Sequence, residues 1–176
     1  MRYRTLLALS LAVIFLSSLM FAGPVEFRKG VTYLTPQVGV NTWTVPFGVN
    51  VEYAVTPNIG LGGTGLLWLF ARDEYDYSIV TLYGDVAYHF TKLNARNLDL
   101  FAGGGLGFHV VSKTKKNDIF EPGEHHGGAS GLFLLPFVGL RYYLSPRVAL
   151  SFRLNVGIFG DWSGVDGLIG VTFRLK

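Results

Sequence analysis

The sequence predicts an all-β fold, an eight-stranded antiparallel up-and-down transmembrane β-barrel, and three observations carry it. Apolar residues alternate with polar, small or charged ones at a period of two. The pattern recurs in eight segments after residue 30, each about 10–13 residues long, where a tilted strand crossing hydrocarbon needs about 9–11. Every charged residue within these segments falls on the phase opposite the apolar one. A strand turns successive side chains to opposite faces, so one face of the sheet is hydrocarbon and the other is polar. Soluble strands average only about 5–6 residues, so eight of this length in one soluble domain is unusual.

Composition agrees. The chain has 176 residues, enough for one domain, with 49% apolar and only 15% charged residues, below the roughly 25% of an average soluble protein. With no cysteine, disulfides, zinc–thiolate sites and thiol catalysis are excluded. Residues 1–22 read as a signal peptide: Arg2 and Arg4 precede an apolar core from Leu6 to Leu16, and cleavage is expected after Ala22. Losing Arg2 and Arg4 takes the formal charge from +3 to +1, so the basic balance is no evidence for a nucleic-acid partner. Residues 23–30 are then a lead-in and residues 31–176 the barrel domain.

Residues 31–41 form the first segment, with Leu34, Pro36, Val38 and Val40 on the apolar phase. Its proline is awkward in a central strand. Residues 47–56 place Glu52 opposite Val51 and Tyr53. Residues 59–70 put Gly60, Gly62, Thr64, Leu66 and Trp68 inward. Residues 79–90 put Thr81, Tyr83, Asp85, Ala87 and His89 inward. Residues 98–111 do the same with Asp99, Gly103, Gly105, Gly107 and His109, and residues 132–144 with Arg141. Residues 148–160 alternate most cleanly, with Leu154 outward and Arg153 and Asn155 inward; Asn155→Ser is expected to be much milder than Leu154→Arg. Residues 165–175 close the series, with Asp166 and Arg174 inward.

The connections alternate in character. Thr56-Pro57-Asn58 and Ser145-Pro146-Arg147 read as tight turns, because proline presets φ and asparagine tolerates the left-handed region. Residues 72–77, 112–130 and 161–164 fall at the opposite end, and residues 112–130 read as one long loop. Barrels of the outer membrane have short periplasmic turns and longer outside loops, which places both termini in the periplasm. Tyr53, Tyr88, Phe90, Tyr142, Phe152 and Phe173 lie low on the apolar phase, with Phe47 and Phe108 higher, as interfacial aromatics do.

With these phrases, notably Val51-Glu52-Tyr53-Ala54-Val55-Thr56-Pro57-Asn58 and Phe137-Val138-Gly139-Leu140-Arg141-Tyr142-Tyr143-Leu144-Ser145-Pro146, the chain resembles the small eight-stranded outer-membrane barrels of the OmpA/OmpX type. The resemblance covers roughly residues 31–176. It implies a bacterial outer-membrane protein inserted by the barrel assembly machinery, in contact with outer-membrane lipid and lipopolysaccharide, and a monomer. Members usually end on an aromatic residue, whereas this chain ends Phe173-Arg174-Leu175-Lys176.

The inner phase gathers Glu52, Asp85 and Asp99 against Arg141, Arg153 and Arg174. The interior of an eight-stranded barrel is only wide enough for side chains to fill, and unpaired buried charge is expensive. These six residues are therefore expected to form an ion-pair network that plugs the lumen. The leading expectation is a structural or surface-interaction role without catalysis. A small pore for ions or small apolar solutes is the alternative, and a lipid A-modifying enzyme the third. Gly60-Leu61-Gly62-Gly63-Thr64-Gly65 matches a dinucleotide string, but it lies within a strand with no helix after it. Gly103–Gly107 is similar, and the inward glycines of both stretches instead make room for large inner residues such as Trp68, Phe133 and Phe137. Lys113, Lys115 and Lys116 open the long loop and are candidates for lipopolysaccharide phosphates or another partner. His125 and His126, near Glu121 and Glu124, are weak metal candidates in a glycine-rich loop, and adjacent histidines point apart in an extended chain. No cofactor is expected.

Overall fold

A computed structural model of the chain describes residues 27–41, 44–72, 75–91, 97–115, 125–158 and 164–175, with the backbone alone at 72, 115 and 125–130. The leader, Lys116, Glu121, Glu124 and the side chains of Lys115, His125 and His126 lie outside the described residues. Eight strands run in chain order: β1 (Thr32–Asn41), β2 (Phe47–Ala54), β3 (Ile59–Arg72), β4 (Tyr75–His89), β5 (Leu98–Lys115), β6 (His125–Ser145), β7 (Val148–Val156) and β8 (Val165–Arg174). Each pairs antiparallel with its neighbours, and β1 pairs with β8 to close the barrel.

The burial pattern is that of a soluble protein turned inside out. Glu52, Asp85, Asp99, Arg141 and Arg153 are buried in the lumen, while Val51, Tyr53, Leu82, Val86, Phe152 and Ile169 are exposed on the outer wall. Closure removes every sheet edge, which a wall in hydrocarbon requires because no water is there to satisfy free backbone groups. This is the fold that the alternation predicts. Tyr88, Phe47 and Phe108 are exposed as expected of interfacial aromatics, and Tyr88 packs edge-on against Phe90.

Pro36 sits outward on β1. It keeps register with Val49 on β2, but the ladder to β8 skips Thr35 and Pro36. The missing N–H thus falls on the β8 side, where Thr35 Oγ1 and Thr172 Oγ1 hydrogen-bond at 2.8 Å. The two tight turns are held by hydroxyls. Thr56 Oγ1 accepts from the Asn58 and Ile59 N–H groups at 3.2 and 2.9 Å, and Ser145 Oγ accepts from those of Arg147 and Val148 at 3.4 and 3.2 Å.

The end away from the termini differs from the expectation. Residues 112–130 are not one long loop: β5 continues to Lys115, β6 starts at His125, and His125 and His126 stand in register with Thr114 and Lys113. β3 and β4 likewise reach Arg72 and Tyr75. Above the hydrocarbon both faces of a strand are wet, so apolar alternation fades while the ladder goes on. A bulge sets two β6 residues, 130 and 131, opposite His109 of β5. β7 stops at Val156, short of the expected 160, and Ile158 makes a single bridge to Leu134.

Leu154 is 37% exposed on the outer wall, in register with Val138 and Gly167. Leu154→Arg should destabilise the barrel by about 2–4 kcal/mol, the scale for arginine near the bilayer midplane. Val165→Arg, two residues nearer the loop end of the barrel, should cost less. Folding titrations in lipid vesicles check both; equal costs would contradict the assignment of depth.

Candidate functional site

The side chains that can carry function converge in the lumen, in two layers. The layer near the termini centres on Arg141 of β6. Its guanidinium pairs with Glu52 of β2 and lies 3.8 Å from Asp99 of β5. Asp99 and Arg141 are direct cross-strand partners, so register alone brings them together. Tyr33 and Phe101 face the guanidinium with ring centroids 5.1 and 5.0 Å from Cζ. His89 of β4 completes the layer. Its Nε2 is 2.8 Å from Glu52 Oε1 and its Nδ1 is 2.9 Å from Asp99 Oδ1. Carboxylates only accept, so an imidazole that bonds both must donate from both nitrogens, as the imidazolium does.

This layer has a cover. Gly30 takes φ of 81°, a left-handed turn that favours glycine, and its N–H donates to the Ala54 carbonyl. The chain before it folds under the barrel mouth. Phe27 is 2% exposed and stacks on His89 with centroids 3.5 Å apart and planes 7° from parallel. The Arg28 N–H donates to the Tyr33 hydroxyl at 3.1 Å.

The middle layer centres on Arg153 of β7. Its Nη1 donates to Asp85 Oδ2 at 2.9 Å and its Nε to Asn155 Oδ1 at 2.8 Å, while Cζ lies 3.5 Å from the Phe137 ring centroid. Asn155 Nδ2 donates on to Asp166 Oδ2 at 3.2 Å. Thr64 Oγ1 reaches Asp85 at 3.4 Å and accepts from Asn50 Nδ2 at 2.8 Å. Between the layers a cavity bounded by Gln37, Glu52, Asp85, Arg141 and Arg153 has room for about one water.

The glycines of the string on β3 follow from this packing. A Cβ at Gly60 would collide with the Glu52 carboxyl, and one at Gly62 with that of Asp85. At Gly103 and Gly107 it would strike the rings of Phe137 and Phe133, as the sequence suggests.

Five of the six charged residues expected in the lumen meet there. Arg174 is the exception: it is half-buried at the termini-side rim near Arg147 and Leu175, with no carboxylate paired to it among the described residues. Its place near the end of the last strand, Tyr33 being its register partner on β1, leaves it below the layer of Arg141. Lys113 turns onto its neighbours, with Nζ 3.6 Å from the Tyr75 ring centroid and 5.8 Å from that of Tyr77. Asn155 is fully buried and bridges Arg153 to Asp166, two links that Asn155→Ser would lose. His89, Asn155, Asp166 and Phe27 were not foreseen as members. The inner phase marks the first three, but nothing periodic marks Phe27. Among the described residues no group of three or more histidine or acidic side chains is arranged to hold a metal.

Arg141→Met removes the cation that Glu52 and Asp99 share and should cost about 3–5 kcal/mol, the scale for breaking a buried pair. Arg174→Met should cost about 0–1 kcal/mol, the scale for a rim charge that water still reaches and no carboxylate pairs. Urea titrations of the two variants in lipid check the difference.

No family model matches the chain, and no curated protein does. Solved structures do. The N-terminal β-barrel domain of Pseudomonas aeruginosa OprF is similar at a TM-score of 0.60 and 15% identity, over 84% of this chain and 98% of that one. Neisserial surface protein A is similar at 0.54 and 13%, over 83% and 94%. Ail, the attachment invasion locus protein of Yersinia pestis, is similar at 0.52 and 13%, over 84% and 99%. At these identities the likeness concerns the fold: the chain is a transmembrane β-barrel with the architecture of the small eight-stranded outer-membrane barrels.

Proposed function

We propose that the chain is an integral outer-membrane barrel with a closed lumen, a non-catalytic anchor whose loop end makes contacts at the cell surface. The observation that carries this reading is the layer of Arg141, Glu52, Asp99 and His89 capped by Phe27. Charges in a conducting pore line a water column. Here they neutralise one another across the interior, and an aromatic ring covers them. The second layer, Arg153 with Asp85, supports the same reading.

In this reading residues 1–22 are a cleaved leader, the termini face the periplasm, and the barrel assembly machinery inserts the chain as a monomer in contact with outer-membrane lipid. The paired extensions of β3 to β6 stand on the outside. Lys113, Lys115 and Lys116 in the sequence at that end supply ammonium groups for lipopolysaccharide phosphates, to which they would donate charge-assisted hydrogen bonds.

Purified protein in a planar bilayer should show no stable conductance. Glu52→Ala with Asp85→Ala leaves Arg153 without its carboxylate and Arg141 with Asp99 alone; it should lower stability and give small, anion-favouring openings. Steady channels in the wild type, unchanged by the double substitution, would favour the pore instead.

Orientation has its own measurement. Trypsin applied to whole cells should cut at Lys116 and spare Arg147 in the turn between β6 and β7. Cleavage at Arg147 with Lys116 intact would reverse the topology.

A further inference from the structure

We propose that the cavity at the loop end of the lumen binds a small primary ammonium group, R–NH3+, with Asp166 as its counter-charge. The cavity lies above the layer of Arg153 and is lined by Trp68, Thr81, Tyr83, His109, Phe133 and Asp166. It is separate from the ion pairs on which the closed-lumen reading rests.

Charge accounting points to Asp166. Glu52 and Asp99 have Arg141 and the imidazolium of His89, and Asp85 has Arg153. Four buried carboxylates therefore meet three cations, and the one left over is Asp166. It is 8% exposed and forms no ion pair among the described residues. Its hydrogen bonds come from two neutral amides, Asn155, which also holds Arg153, and Asn41; Arg153 acts on it through space and makes no direct pair with it. A buried charge is expensive unless paired, so a cation supplied from outside is what this site lacks.

The surrounding chemistry selects the kind of cation. Trp68, Tyr83 and Phe133 line the same cavity, and aromatic rings attract ammonium ions. Tyr83 also carries a buried hydroxyl with no hydrogen-bond partner. The walls are held in place: the Trp68 indole N–H donates to Thr81 Oγ1 at 2.8 Å, Thr81 Oγ1 and His109 Nδ1 share a hydrogen bond at 2.8 Å, and His109 stacks on Phe133 at 4.4 Å. Hard ions such as calcium want about six or more oxygen ligands, which an aromatic wall does not offer. The free space suits a group the size of a water or two. A primary ammonium head fits that space, whereas a quaternary one is too wide. Gly157 and Gly164, beyond the ends of β7 and β8, border the cavity without side chains, and the Gly157 N–H donates to the Gly164 carbonyl at 2.7 Å.

The test uses the full barrel in detergent micelles at fixed pH and ionic strength. The probe is methylammonium chloride, with tetramethylammonium chloride and sodium chloride as comparisons. The readout is the Trp68 indole N–H resonance, assigned through Trp68→Phe. Methylammonium should shift it saturably and the comparison salts should not. Asp166→Asn should weaken binding by about tenfold or more, while Asp76→Asn, on the outward phase of β4, should leave it unchanged. No saturable shift, an equal response to sodium or tetramethylammonium, or undiminished binding in Asp166→Asn would overturn the proposal; the first is also what a protonated, neutral Asp166 predicts. If Asp166→Asn does not fold, Phe133→Leu takes its place: weaker methylammonium binding supports the aromatic site and unchanged binding overturns it.

Discussion

The pairing of Arg141 with Glu52 and Asp99 is the interaction on which the rest of the barrel interior depends. Ladder hydrogen bonds fix each strand against its two neighbours, but they do not tie strands across the lumen. Arg141 does, because β6 and β5 are adjacent whereas β2 lies on a distant part of the wall. His89 adds β4 to the same knot, and Tyr33 brings in β1. Low dielectric makes each contact strong and makes each partner costly to leave alone. The network therefore works as a unit, and the space it needs is reserved elsewhere in the sequence. Gly60 and Gly62 have no side chains where Glu52 and Asp85 cross, so a string that looks like a nucleotide-binding motif is a packing surface.

The outer wall was legible because hydrocarbon imposes a strict rule on every second residue. All eight strands and the inward phase of each charged residue within the alternating segments follow from it. The same rule explains what was not legible. At Ser112 to Lys115 and across His125 to Ser130, water wets both faces, so residue type no longer reports the ladder, and the strands extend further than the alternation does. Inside, parity places a side chain in the lumen but says nothing about height or partner. Arg174 shares the phase of Arg141 yet ends at the rim, and His89 shows no sign in sequence of the two carboxylates it bridges. Phe27 precedes the first strand, where no period exists to read; only the left-handed turn at Gly30 brings it under the mouth.

The two ends of the lumen solve the burial of charge differently. Near the termini, two carboxylates, a guanidinium and an imidazolium balance, and a stacked ring covers them. An aromatic face above an imidazolium is itself attractive, since the ring quadrupole favours a cation. The cover and the cluster thus support each other, and loss of either exposes the other to water. At the loop end the aromatic walls are present, but the carboxylate of Asp166 is held by the neutral amides of Asn155 and Asn41 and has no cation paired to it among the described residues. A bulge on β6 opposite His109 loosens the ladder beside the same cavity. The charges are thus paired where the chain enters the barrel, and a carboxylate is left without a cation where the longest strands project. That asymmetry sets the direction of any ligand's approach. An anion meets an unbalanced carboxylate at the loop end, whereas a small cation meets a carboxylate and aromatic faces already fixed by the Trp68–Thr81–His109 hydrogen bonds, so little ordering is left for binding to impose.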